Sequence, residues 1–348
     1  MRKFLPKKGD TQVSYESHEL LNVPDWPYPV VKIKNTRIEA TIPSHNGLSQ
    51  KYYGNYFLLD LNGTQYFHTI YDQIGQYLAL KEIIPDLKPL LSRHANASYG
   101  KLSGLQRNAL KLFKISNGQM SSTLMAVYDT VDIENLYYYY QAGHPMIDKM
   151  PSTMANEWPF RDYDEQNPNG YNMLVSRKLR EFINYDYPEV PTRKVFISRG
   201  KALLKLLNEE AILHHYDEQT ARMFKDRFYP LEYNMELENY FEQHGYEIID
   251  FDNKTMEQQI DIVANASHIA GIHGAGFTNL IWANPNAKVF FVNTHSNYTF
   301  IYRLIAKQFG MEPYIIVNPE FDPEDPDAVR IHEPGEIIHF IQDTSTPI

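Results

Sequence analysis

The segment Ile269-Ala270-Gly271-Ile272-His273-Gly274-Ala275-Gly276-Phe277-Thr278-Asn279 carries more chemical information than any other in the chain. A strand-like apolar run enters it, a helical pattern leaves it, and the small residues between let the backbone approach a ligand. The N–H groups that open a helix have no partner within it, so a turn of this kind suits phosphate oxygens. His273 can donate to a diphosphate there, and Thr278 or Asn279 can add a hydroxyl or an amide. A tight turn with a satisfied histidine would read the same way if the segment stood alone. The glycine spacing separates it from two other phosphate binders. Gly271, Gly274 and Gly276 give G-x-x-G-x-G, not the dinucleotide pattern G-x-G-x-x-G, and no acidic residue stands at a strand end about 20 positions later. Phe277 occupies the place where a P-loop needs its lysine, which disfavours an NTPase.

A second group comprises Arg193, Ser198, Arg199, Gly200, Lys201, Lys205, Asn208 and Glu209. Arginine can grip a diphosphate through two parallel bonds and Lys205 adds a point charge, so both would offset charge growing on a departing nucleotide. An exposed, salt-bridged helix is the commoner outcome for a basic run. The triplet Asp250-Phe251-Asp252 offers a competing chemistry, since paired carboxylates can hold Mg²⁺ or Mn²⁺ against a diphosphate. Such triplets also arise by chance. His214 and His215 are adjacent and lack the H-E-x-x-H spacing of a zinc hydrolase.

These residues need elements to position them. From Arg193 onward, short β-branched or aromatic runs alternate with helical patterns, the signature of a parallel α/β sheet. Strands are predicted at 195–198, 246–251, 268–272, 288–292 and 314–317, and helices at 235–244, from the N-cap Thr255, at 277–282 and at 297–309. That makes a doubly wound lobe whose glycine turn lies at the carboxyl edge, where ligands bind. The front half reads less clearly: a strand at 55–61, a helix from Phe67 to Ile84 stopped near Pro85, and a strand at 123–128. Polar residues with Pro and Gly at 162–170 place a lobe boundary, giving 1–165 and 166–330, with a terminal helical stretch in 331–348.

At 348 residues the chain exceeds what one core usually organises, which supports two domains. A net charge of −10 disfavours a protein built to neutralise nucleic-acid phosphate, so no nucleic-acid partner is expected. No apolar stretch approaches the ~18 residues of a membrane span. Arg2, Lys3, Lys7 and Lys8 suit either a frayed, solvated start or a weak peripheral contact with an anionic bilayer. No apolar signal core follows them, and the absence of cysteine fits a reducing compartment, so a cytoplasmic location is expected. The 26 Tyr and 18 Phe suit sugar-stacking clefts and ordinary packing alike, and decide nothing.

In order along the chain, Arg193 to Arg199, Asn208-Glu209, Glu257-Gln258-Gln259-Ile260 and Gly271 to Asn279 resemble the motifs of glycosyltransferase family 61. The ordered set is more specific than any one member and covers residues 193 to about 317. His68-Thr69-Ile70-Tyr71-Asp72 resembles that family's upstream His-x-x-x-acid element. The resemblance implies a GT-B fold of two Rossmann-like α/β lobes with a cleft between them, and a C-terminal helix packing back on the first lobe. It also implies inverting transfer from a nucleoside-diphosphate sugar, usually a UDP-sugar, to a glycan or polysaccharide acceptor, with no required metal or other cofactor. By position, Arg199, Lys205, Asn208, Glu209, Gln259, His273, Gly274, Ala275, Gly276, Thr278 and Asn279 are the implied donor-binding residues. Inversion needs one base to take the acceptor proton. Asp72 is the expected base with His68 as its partner or substitute, since residues four apart on a helix share a face. Two departures stand out: Lys205 occupies a position where the family often has arginine, and Phe291 one where it often has a ribose-binding acid. An apparent insertion spans residues 211–232.

Overall fold

The computed structural model describes residues 11–21, 30–40, 49–60, 66, 68–92, 104–115, 130–138, 173–199, 231–272, 274–293, 300–317, 329–331 and 333–345. The chain divides into two compact units, Met1–Ile183 and Asn184–Ile348. Among the described residues, each combines helices with one six-stranded sheet.

The first unit's strands are β1 (Thr11–Ser14), β2 (Ser17–Leu21), β3 (Val30–Ala40), β4 (Ser49–Asp60), β5 (Lys88–Ser92) and β6 (Thr130–Tyr138). Their order is β1-β3-β6-β4-β5, with β2 also on β3. The expectation of a second Rossmann-like sheet needs correcting here, because β3 pairs antiparallel with β1, β2 and β6, and only β4 runs parallel to its neighbours β5 and β6. The sequence of β3 explains this. Lys32, Lys34, Arg37 and Glu39 interleave with buried Val31, Ile33 and Ile38, and such alternation belongs to antiparallel strands. Three adjacent strands bend together. Asn35 in β3 takes φ +49° and Gly54 in β4 takes φ +97°, while the Gly54 N–H donates to Glu134 Oε2 of β6 at 2.7 Å. The strand expected at 123–128 lies outside the described residues.

The helix expected from Phe67 to Ile84 is real, but its first half is not α. Residues His68–Gly75 form a π-helix that runs into α1 (Gln76–Ile83). Helices α2 (Gly104–Leu112) and α3 (Met173–Ile183) complete the described part of this unit.

The second unit holds β7 (Arg193–Ile197), β8 (Glu247–Ile249), β9 (Ala266–Ile272), β10 (Lys288–Asn293), β11 (Glu312–Val317) and β12 (Val329–Arg330). All its pairings are parallel, and the strand order is β8-β7-β9-β10-β11-β12. Val289, Phe290, Phe291 and Val292 are buried in succession, as a strand covered on both faces requires. On one face, α4 (Leu231–Gln243) and α7 (Pro334–Ser345) bring Leu237, Phe241, Ile337, Ile338 and Ile341 onto Phe196, Ile272, Phe290, Val292 and Ile316. The apolar stripe of α7, expected against the first lobe, is thus used in the second unit's own core. On the other face lie α5 (Met256–Ala264), a 3₁₀ helix (Ala275–Trp282) and α6 (Phe300–Gln308), with Phe277 4.7 Å from Phe291 and 5.9 Å from Tyr302 between ring centroids.

Among the described residues, no helix is long and apolar enough to cross a membrane.

Candidate functional site

In the second sheet the strand order reverses between β7 and β9, because the chain leaves β7 for β8 on one side and returns to β9 on the other. Connections diverge above and below the sheet at such a point and open a crevice at the carboxyl ends of the two strands. Those ends carry Ser198-Arg199 and the glycine turn.

Gly271 is closed in by backbone, and Gly274 and Gly276 by side chains. A Cβ on Gly271 would sit 2.9 Å from the Ile197 carbonyl oxygen, one on Gly276 2.8 Å from Ile197 Cγ2, and one on Gly274 2.6 Å from Arg199 Cζ. The turn therefore lies directly on the end of β7, and the Arg199 guanidinium rests on the Gly274 backbone. That puts a delocalised, permanently charged fork beside the start of the 3₁₀ helix, whose first intrahelical bond runs from the Phe277 N–H to the Gly274 carbonyl at 3.0 Å. The N–H groups of Ala275 and Gly276 precede that bond, so the helix itself supplies no acceptor for them.

Below the turn is a buried amide pair. Gln259 Nε2 donates to the carbonyls of Phe251 and Lys254, both at 3.2 Å, and its Oε1 accepts from Asn279 Nδ2 at 3.0 Å. Asn279 Nδ2 also donates to the Gly276 carbonyl at 3.0 Å. These two residues tie α5 and the loop after β8 to the underside of the turn. The Thr278 hydroxyl is buried and meets no hydrogen-bond partner among the described residues. The N-cap expected at Thr255 is present, and Gln258 completes it as a capping box: Thr255 Oγ1 accepts from the Gln258 N–H at 3.3 Å, and Gln258 Oε1 accepts from the Thr255 N–H at 2.9 Å.

Two sequence candidates have other engagements. Asp250 caps a short 3₁₀ turn, accepting from the Asp252 N–H at 2.9 Å and from Asn253 Nδ2 at 2.8 Å. Arg193 stands at the start of β7 and not its end, where it donates to both Glu247 oxygens, at 2.8 and 2.6 Å. That bond holds the Glu247 carboxyl below its ordinary range. One carboxylate near the crevice was invisible in the sequence: Glu238 of α4 accepts from Ser198 Oγ at 2.6 Å, across 40 residues, with no motif to mark it.

Lys205, Asn208, Glu209, His214, His215, most of the 211–232 insertion and His273 lie outside the described residues. His68 and Asp72 occupy the first and fifth positions of the π-helix, and their side chains lie outside the description.

No curated protein matches the chain. The sequence profile of Glycosyltransferase 61 matches residues 66–290, from just before the π-helix to within β10, and so takes in both the His68–Asp72 element and the glycine turn. A match over that much of the chain shows that the protein belongs to glycosyltransferase family 61.

Proposed function

We propose that the chain transfers a sugar, with inversion and without a divalent metal, from a nucleoside-diphosphate donor of the UDP-sugar kind to a glycan or polysaccharide hydroxyl. The observation that carries this reading is the seat of Arg199 on Gly274 at the strand-order reversal. The diphosphate lies over the turn and is held by the Arg199 fork and the opening N–H groups of the 3₁₀ helix, with His273 and Lys205 adding donors and charge. Asn208 and Glu209 take donor contacts by family position. Gly274, Ala275 and Gly276 give the backbone approach, and Thr278 brings its buried hydroxyl beneath them.

Gln259 and Asn279 act one layer further back, because their amides are spent on each other and on backbone carbonyls. In the reaction the acceptor oxygen attacks the anomeric carbon and Asp72, assisted by His68, removes its proton. The bond from that carbon to the diphosphate oxygen breaks, and the nucleotide leaves with the electron pair. Arg199 stabilises the charge that appears there.

Thermal-shift measurements against UDP, GDP, and CMP- and dTDP-linked sugars test the donor class, since a ligand that binds only the native state raises the melting temperature. UDP is expected to raise it, and the Arg199→Ala variant to lose the response. Release of UDP from UDP-sugars is expected to continue in EDTA. Complete loss restored by Mn²⁺ would replace this mechanism with a metal-dependent one.

A further inference from the structure

The π-helix His68–Gly75 is eight residues long, whereas π geometry ordinarily survives only as single-turn bulges. Something must hold it, and α3 supplies two holds. Ser176 Oγ donates to Tyr71 Oη at 3.2 Å, with both residues buried. One turn on, Gly75 leaves room for α3 to cross: a Cβ there would lie 2.9 Å from Leu179 Cδ1 and collide with Val175 Cγ1. The helical stretch from Thr69 to Gln76, which runs one residue into α1, is also unusually polar for its burial. Thr69, Gln73 and Gln76 are each at most 3% exposed, and neither Thr69 Oγ1 nor Gln76 Oε1 has a hydrogen-bond partner among the described residues. A helix chosen for packing alone would carry aliphatic residues at those positions.

The helix type decides where residue 72 stands relative to residue 68. In an α-helix, positions four apart overshoot a full turn by about 40°. In the wider π turn they fall short of one, so a change of helix type swings the two positions past each other. We infer that Tyr71, Ser176 and Gly75 are positioning residues for the reaction: they lock this segment in π geometry and so set the angle between His68 and Asp72. This rests on the assignment of Asp72 as base.

Tyr71→Phe and Ser176→Ala each delete one oxygen and add no volume. Each is expected to lower kcat for UDP release by about tenfold to a hundredfold, the scale on which a misplaced catalytic group is felt. The donor is whichever of UDP-glucose, UDP-galactose, UDP-N-acetylglucosamine and UDP-xylose the wild-type protein turns over. UDP affinity is expected to stay unchanged. In an Asp72→Asn background, adding Tyr71→Phe is expected to remove nothing further. Wild-type kcat in Tyr71→Phe, or an equal loss in the Asp72→Asn background, overturns the positioning role. Wild-type kcat in Asp72→Asn overturns the base assignment instead. Amide hydrogen exchange over residues 68–75 needs no substrate: it is expected to quicken in both single variants, and unchanged protection overturns the lock.

Discussion

The pairing of Arg199 with Gly274 makes two different demands, one for charge and one for space. Replacing Arg199 with alanine removes charge-assisted bonds worth about 1.5–3 kcal/mol, so UDP affinity measured by calorimetry should fall roughly tenfold to a hundredfold. That loss is read on the bound nucleotide. Gln259 behaves in the opposite way. Gln259→Leu takes one partner from the Asn279 amide and one from each of the Phe251 and Lys254 carbonyls, costing about 1–3 kcal/mol of stability and disturbing the turn from below. The glycine turn was legible in the sequence because small residues between a strand and a helix have a physical reason to be there. Gln259 was legible only as a family position. Its work as a brace depends on carbonyls from Phe251 and Lys254 and an amide from Asn279, which only the folded chain brings together. Asp250 shows the reverse: a carboxylate offered in sequence as half of a candidate metal pair caps its own turn in the fold.

Helices and strands were readable wherever local chemistry alone determines them. The N-cap of α5 is one such case, and Thr255→Ala should cost about 1 kcal/mol and lower the melting temperature by roughly 2–4 °C, seen by circular dichroism. The parallel strands β9 and β10 were readable too, since an unbroken apolar run bounded by turn residues has few other uses. The π-helix was not. Its residues have an ordinary amphipathic helical pattern, and its geometry is imposed by α3, about 100 positions away in sequence. β6 escaped notice because Asp132, Glu134 and Asn135 break its apolar pattern. They do so beside the irregularity at Asn35 and Gly54, where the alternation slips by one residue in β3 and β6: Val31 and Ile33 are followed by Ile38, and Val131 and Ile133 by Leu136 and Tyr138, all in one core cluster.

The second unit as a whole has a built-in sensitivity to acid. His268 on β9 is driven down to about 4 from 6.5, chiefly by burial and then by Lys194 and Lys288, its neighbours across the sheet. Unfolding frees the ring to take a proton at its ordinary value. Between those two values the unfolded chain binds more protons, so stability rises with pH across that window and is lost as pH falls through it. The effect is on the order of 2 kcal/mol once the ring's partial exposure is discounted. Urea midpoints should fall between pH 7 and pH 4.5 in the wild type, and His268→Phe, which keeps the stack on Phe290, should flatten that slope. The same sheet edge also gathers both ends of the unit. Arg193 opens β7 there, and the Lys288 ammonium at the start of β10 donates to the Thr344 carbonyl near the end of α7. The glycine turn lies at the far end of the strands. A circular permutant of this unit, with residue 345 spliced to residue 184 through a short flexible linker and new termini cut elsewhere on its surface, would keep every strand neighbour it has now and leave the crevice at the glycine turn untouched.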